Sequence, residues 1–217
     1  MEAFLISTGI VALAEIGDKT QLLSLVLAAR FRKPWPIVWG ILVATLANHA
    51  LAGGLGAWVT QLMGPTALRW VLGVSFLAMA AWMLVPDELD DDDAEVTPKF
   101  GVFGTTVVAF FLAEMGDKTQ IATVMLAAEY PSWLWVVAGT TLGMMLANAP
   151  VVWFGERITR LLPLMWVHRL SAAVFVVLGV LVLLGSESPE THRSSNDATL
   201  QTPAANEQPA SAASSAP

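Results

Sequence analysis

Two copies of one acidic motif lie ninety-nine residues apart, each inside a long apolar stretch. The first copy is Ala14-Glu-Ile-Gly-Asp-Lys-Thr-Gln21, and the second is Ala113-Glu-Met-Gly-Asp-Lys-Thr-Gln120. Their ionisable side chains are Glu15, Asp18, Lys19, Glu114, Asp117 and Lys118. Each isolated charge would cost about 2.5–3.5 kcal/mol at the centre of a bilayer, which makes roughly 15–20 kcal/mol for six. Such groups are retained where they pair, line a polar cavity or bind a ligand, so the repeat predicts a functional site.

The motif and its surroundings offer oxygen ligands. On a continuous helix, Glu15 and Asp18 would share one face, and Gln21 would extend that face by a turn. Asn48 and Asn148 end matching Leu-Ala-Asn triplets in the two halves and could add amide oxygens or form hydrogen bonds between helices. Oxygen ligands suit a hard cation such as Ca²⁺, Mn²⁺ or Mg²⁺. The predicted metal ligands are Glu15, Asp18, Glu114, Asp117, Asn48, Asn148, Gln21 and Gln120.

The charge of the two motifs predicts competition between a cation and protons. Four carboxylates and two lysines leave a formal charge of −2, which one divalent ion would neutralise. Without a cation, burial and mutual repulsion should make the acids retain protons, and metal binding would expel them. A site that exchanges cations for protons and faces each side of a membrane in turn is an antiporter.

Other roles are open for the neighbouring polar residues. Lys19 and Lys118 are expected to form salt bridges with the acids, or to take part in gating. The hydroxyls of Thr20 and Thr119 are expected to bond to backbone carbonyls one turn earlier, with cation binding as the alternative. His49 has no counterpart in the second half, so we expect a buried histidine with satisfied hydrogen bonds.

Two further interpretations of the repeat compete with transport. The polar pairs could only lock helices together, in which case apolar replacements would be tolerated. The acids could instead hold the metal of a membrane-embedded enzyme, which would need a nucleophile or water open to one face. Because an enzyme has no reason to be duplicated in mirror fashion, we expect a non-enzyme that needs no cofactor, with Mn²⁺ or Ca²⁺ as its substrate.

Composition places the chain among membrane proteins. Hydrophobic residues make up 55% of it and charged residues 13%, and its mean hydropathy is +0.62. The absence of cysteine excludes disulfides, thiolate metal sites and cysteine nucleophiles. No basic patch suggests nucleic acid, so the expected partners are a divalent cation, protons and the lipid bilayer.

Apolar segments long enough to span a bilayer predict an all-α membrane protein with six transmembrane helices. The predicted spans are 4–29, 36–60, 67–85, 100–128, 133–154 and 167–185. The predicted organisation is a first three-helix repeat (1–86), an acidic cytoplasmic loop (87–99), a second repeat (100–185) and a disordered polar tail (186–217).

Loop charges predict the orientation. Lysines and arginines gather after the first, third and fifth spans, whereas the opposite side has only Arg69 near its helix ends. The positive-inside rule makes the first set cytoplasmic and places both termini outside. The start of the chain lacks the positive flank and cleavage site of a signal peptide, so we expect a retained first helix, and the lack of a transit peptide favours a bacterial plasma membrane over an organelle.

Three spans per half is an odd number, so the second half should enter the membrane from the opposite side. The two motif helices would then run antiparallel, related by a pseudo-two-fold axis in the membrane plane. Inverted repeats of this kind recur in secondary transporters, with the substrate near the bilayer midplane. Gly17 and Gly116 lack side chains and would permit close helix approach or local unwinding there.

At Glu15-Ile-Gly-Asp-Lys-Thr20 and Glu114-Met-Gly-Asp-Lys-Thr119, the chain resembles a membrane protein family defined by two E-x-G-D-[KR]-[ST] motifs. That family belongs to the wider cation/Ca²⁺ exchanger group and includes Golgi Ca²⁺/Mn²⁺ transporters and bacterial manganese exporters. The resemblance covers about residues 1–185. It implies that Glu15, Asp18, Glu114 and Asp117 bind the transported cation, that protons are exchanged, and that Mn²⁺ leaves the cytoplasm.

Overall fold

The computed structural model describes residues 1–85, 100–155 and 164–185, and these residues form helices and no strand. The helices are α1 (Glu2–Glu15), α2 (Lys19–Phe31), α3 (Pro34–Leu62), α4 (Pro65–Trp82), α5 (Gly101–Glu114), α6 (Lys118–Glu129), α7 (Trp133–Phe154) and α8 (Leu164–Leu184). The all-helical prediction is confirmed for this part of the chain. The predicted acidic loop (87–99) and polar tail (186–217) lie outside the described residues, and the repeat boundaries remain predictions.

Four of the described helices, α3, α4, α7 and α8, are long and apolar enough to cross a membrane. The longest, α3, has 29 residues, which corresponds to roughly 44 Å at the usual helical rise and exceeds a hydrocarbon core of about 30 Å. Large apolar side chains on its outer face are exposed, among them Leu51, Leu55 and Trp58. An apolar exterior of this kind is suited to contact with lipid.

The first and fourth predicted spans are each divided into two helices at the motif. α1 ends at Glu15 and α5 at Glu114, and in both cases the next helix, α2 or α6, begins four residues later. Between them, Gly17 has φ +87° and Gly116 has φ +79°, in the left-handed region that favours glycine. A continuous helix with Glu15 and Asp18 on one face is therefore wrong, and the local unwinding permitted by the glycines is confirmed.

Equivalent positions of the two halves make equivalent contacts. α7 packs on α1 so closely that a Cβ on Gly139 would meet the carbonyl oxygen of Phe4. α3 packs on α5 in the same way, and a Cβ on Gly40 would lie 3.1 Å from the carbonyl oxygen of Phe103. Members of each matching pair, Phe4 with Phe103 and Gly40 with Gly139, are ninety-nine residues apart. Each half therefore supports the broken helix of the other half.

The packing of α4 on α8 joins the two halves a second time. The rings of Phe76 and Phe175, also ninety-nine residues apart, have centroids 6.2 Å from each other, and both are fully buried. Burial of a phenylalanine side chain contributes about 1.5–3 kcal/mol. This pair anchors an apolar cluster that includes Leu72 and Met79 and lies against α6 and α8.

Candidate cation site

The two helix breaks position the acids of the motifs. Glu15 and Glu114 are the last residues of α1 and α5, while Asp18 and Asp117 are the N-caps of α2 and α6. A side-chain oxygen of Asp18 accepts the backbone N–H of Thr20 at 3.4 Å. Asp117 accepts the N–H of its own threonine, also at 3.4 Å. Aspartate is a favoured N-cap, so each motif supplies the residue that starts the second helix.

The glutamines of the motifs stabilise the unwound turns. Gln21 Oε1 accepts the backbone N–H of Gly17 at 3.0 Å, and Gln120 Oε1 accepts that of Gly116 at 2.7 Å. Gln21 Nε2 also donates to the carbonyl oxygen of Ala147 at 3.2 Å, which ties α2 to α7. Both amide oxygens are thus engaged by the backbone, and their role as cation ligands remains a prediction.

Three carboxylates from the two motifs meet in the interior. One oxygen each from Glu15, Glu114 and Asp117 lie within 4.8 Å of one another. The exposed fractions of these residues are 0%, 0% and 5%. The structure therefore brings acids of both halves into one buried cluster, while Asp18 lies outside this group of three.

Each glutamate is held at one oxygen by the threonine of its own motif. Thr20 Oγ1 donates to Glu15 Oε2 at 2.7 Å, and Thr119 Oγ1 donates to Glu114 Oε2 at 3.0 Å. The prediction that these hydroxyls bond to carbonyls one turn earlier is wrong. Since the helix is interrupted before each threonine, the glutamate side chain five residues earlier comes within reach instead.

Three buried oxygens of the predicted ligands lack hydrogen-bond donors. Glu15 Oε1, Glu114 Oε1 and Asn48 Oδ1 are buried and accept no hydrogen bond from the described residues. A buried polar atom left unpaired costs free energy, and the cost is greater when the group is charged. A bound cation or a proton would remove this cost at the glutamates. The donor set therefore fits a hard divalent cation.

The two asparagines differ in their contacts. Asn148 Nδ2 donates to Glu15 Oε2 at 3.0 Å, and Asn148 Oδ1 accepts the hydroxyl of Ser24 at 3.0 Å. Asn48 Nδ2 donates instead to the carbonyl oxygen of Phe111 at 3.0 Å. The structure thus brings Asn148 to the acids through its nitrogen. Cation binding by the oxygens of both asparagines remains a prediction.

Ser24 was missed by the sequence analysis. It lies one helical turn after Thr20 on α2 and is fully buried. The second half has Thr123 at the matching position, ninety-nine residues later. A hydroxyl one helical turn after the motif threonine in both copies was the signal that could have identified it.

The motif lysines occupy different environments. Lys19 Nζ lies 3.6 Å from Asp117 Oδ1, so this lysine of the first motif pairs with an acid of the second. Lys118 Nζ donates to the carbonyl oxygen of Val85 at 2.7 Å and lies 6.0 Å from the ring centroid of Trp82. The predicted salt bridge is confirmed for Lys19.

His49 is fully buried on α3, as predicted. Neither of its ring nitrogens has a hydrogen-bond partner among the described residues. The prediction that its hydrogen bonds are satisfied is therefore wrong. The ring also lies outside the carboxylate group of Glu15, Glu114 and Asp117.

Comparison with known proteins agrees with the duplicated site. The family described as "Divalent cation/proton antiporter GDT1" matches residues 3–91 and again residues 102–190. The two matched segments are ninety-nine residues apart, as are the motifs. No solved structure matches the chain.

Curated relatives cover most of the chain. A Vibrio cholerae serotype O1 protein proposed to be a manganese exporter is 52% identical over 83% of this chain and 90% of its own length. A GDT1-like protein of Synechocystis is 30% identical over 66% of this chain and 78% of its own length. GDT1-like protein 4 of Oryza sativa subsp. indica is 28% identical over 85% of this chain and 71% of its own length. The chain therefore belongs to the GDT1 family and is a multi-pass membrane protein that transports divalent cations.

Proposed function

We propose that this chain is a secondary active transporter that exports Mn²⁺, with Ca²⁺ as a second substrate, from the cytoplasm in exchange for protons. The observation that carries the proposal is the buried meeting of Glu15, Glu114 and Asp117, whose ligand oxygens lie within 4.8 Å of one another. Similarity to the Vibrio cholerae protein supports manganese as the main substrate. Ca²⁺ as the main substrate is the alternative, because oxygen ligands suit both ions.

The charge of the cluster supports exchange for protons. Three carboxylates and the paired Lys19 carry a formal charge of −2 when all are ionised. One divalent cation neutralises this charge, and two protons do so equally well. Because an uncompensated charge is costly inside a membrane protein, the site favours one occupant or the other. This arrangement predicts an exchange of one divalent cation for two protons.

The helix packing supports alternating access by two inverted three-helix repeats. Each broken helix packs on a long helix of the other half. The contact at Phe4 in the first half is matched by the contact at Phe103 in the second half. In transporters of this type, interrupted helices at the repeat interface form the substrate site. The chain would lie in a bacterial plasma membrane, with its lysine- and arginine-rich loops in the cytoplasm and both termini outside.

A pH gradient should drive cation movement by the purified protein. We expect proteoliposomes with an acidic lumen to accumulate Mn²⁺ while the lumen becomes more alkaline, because each entering cation displaces protons from the cluster. The measurement pairs radioactive Mn²⁺ uptake with a pH-sensitive dye in the lumen, and Ca²⁺ is measured in parallel. Protein-free liposomes and an ionophore that collapses the gradient are the controls. Equal uptake with and without the gradient, at constant luminal pH, would reject proton exchange.

A further inference from the structure

Ser24, Asn148 and Glu15 form a buried chain of hydrogen bonds that links α2, α7 and α1. The Ser24 hydroxyl donates to Asn148 Oδ1 at 3.0 Å, and Asn148 Nδ2 donates to Glu15 Oε2 at 3.0 Å. All three residues have no exposed surface. Since the Ser24 hydroxyl donates to the amide oxygen of Asn148, the amide nitrogen is oriented toward Glu15.

This chain of hydrogen bonds makes the two oxygens of Glu15 unequal. Glu15 Oε2 accepts two hydrogen bonds, from Thr20 at 2.7 Å and from Asn148 at 3.0 Å. Glu15 Oε1 accepts none from the described residues. The carboxylate therefore presents one oxygen for an incoming cation, while the other is occupied by donors.

The second half lacks the equivalent chain of hydrogen bonds. Thr123 donates to the backbone carbonyl of Thr119 at 2.8 Å instead of to an asparagine. Asn48 donates to the carbonyl of Phe111, and its Oδ1 has no partner among the described residues. Glu114 is held by Thr119 at 3.0 Å. The two halves thus differ at a defined place, although their motifs are nearly identical.

We propose that Ser24 is a specificity-determining residue that, through Asn148, restricts Glu15 to coordination by one oxygen and so favours Mn²⁺ over Ca²⁺. Ca²⁺ takes six to eight oxygens in flexible geometry and often binds a carboxylate through both oxygens. Mn²⁺ is smaller and is typically bound by six oxygens. Without Ser24, the amide of Asn148 can rotate away from Glu15 Oε2, which then keeps only the hydrogen bond from Thr20 and has a lone pair free for the larger ion. This inference rests on the transport function proposed above.

The test compares the half-saturating concentrations of Mn²⁺ and Ca²⁺ for variants in proteoliposomes. Loss of a partner that orients a metal ligand typically changes affinity by about 10–100-fold, so we expect Ser24→Ala to shift the Mn²⁺/Ca²⁺ preference toward Ca²⁺ by about 10-fold. Ser24→Thr keeps the hydroxyl and should keep the wild-type preference. Ser24→Cys keeps the size but is a weaker donor, and its preference should be intermediate.

Thr123→Ala is the matched control, because it removes a hydroxyl at the equivalent position of the second half. Its ion preference should equal that of the wild type. The role of Ser24 is rejected if Ser24→Ala and Ser24→Cys leave the ion preference unchanged. It is also rejected if they lower the affinity for both ions by the same factor, as the loss of a purely structural contact would. If the wild-type protein moves neither ion, the proposed function itself fails.

Discussion

Replacing either Glu15 or Glu114 with glutamine should abolish cation transport. The two glutamates come from different halves of the chain, yet their oxygens belong to one buried group. Glutamine keeps the shape and an oxygen that can accept the bond from Thr20 or Thr119, so the hydrogen bonds that hold the side chain are retained. The negative charge is lost, and the second carboxylate oxygen becomes an NH₂ group, which cannot bind a cation. We expect flux to fall by at least about 100-fold, the upper end of the effect of losing an outer partner of a metal site.

The measurement is Mn²⁺ flux into proteoliposomes that contain equal amounts of each variant. Glu2→Gln serves as the control, because Glu2 is exposed at the start of α1, at the other end of that helix from Glu15. Its flux should match that of the wild type. Wild-type flux in either Glu15→Gln or Glu114→Gln would show that the shared carboxylate cluster does not carry the ion.

Asp117→Asn should also abolish transport while leaving the helices in place. Asp117 has two roles, as the N-cap of α6 and as the acid that pairs with Lys19 at 3.6 Å. Asparagine caps a helix about as well as aspartate, so the start of α6 should persist. The negative charge disappears, which removes a carboxylate from the cluster and the partner of Lys19. We expect a loss of flux of at least about 100-fold, as for the glutamates.

The opposite substitution, Asp117→Glu, separates the two roles. Glutamate keeps the charge but is a weaker N-cap than aspartate. If the charge carries transport, Asp117→Glu retains more flux than Asp117→Asn in the same proteoliposome assay. An active Asp117→Asn and an inactive Asp117→Glu would mean that this residue only starts a helix. Size-exclusion chromatography and circular dichroism in detergent establish that both variants are folded.

The helical fold and the meeting of the two motifs could be predicted because they depend on features that repeat along the sequence, whereas the six-helix inverted repeat remains a prediction. Long apolar segments predict membrane helices, and two identical acidic positions inside them predict a shared site. Glu15 and Glu114 do meet in the structure. The reciprocal packing at Gly40 and Gly139 follows the same ninety-nine-residue spacing.

The helix breaks could not be predicted with certainty from the motif. A glycine inside an apolar helix is compatible with close packing as well as with a positive φ, and only the latter is found at Gly17 and Gly116. The break changes the neighbours of every following residue. Thr20 therefore contacts a carboxylate rather than a carbonyl, and Asp18 caps a helix rather than sharing a face with Glu15.

The differences between the halves could not be predicted from the repeat either. Nearly identical motifs predict identical contacts, whereas Asn148 reaches Glu15 and Asn48 reaches the carbonyl of Phe111. The cause lies in residues outside the motifs, since Ser24 donates to Asn148 while Thr123 donates to its own helix. A single conformation of the chain need not be symmetric, even when its halves share an origin.

The central claim is that two motifs from opposite halves build one cation site, and counting bound ions tests it most directly. Titration of the purified protein with Mn²⁺, followed by electron paramagnetic resonance of the free ion, gives the number of tightly bound ions per chain. We predict one ion for the wild-type protein and none for either Glu15→Gln or Glu114→Gln. Two ions for the wild type, with one retained in each variant, would mean that each motif binds its own cation and would contradict the account.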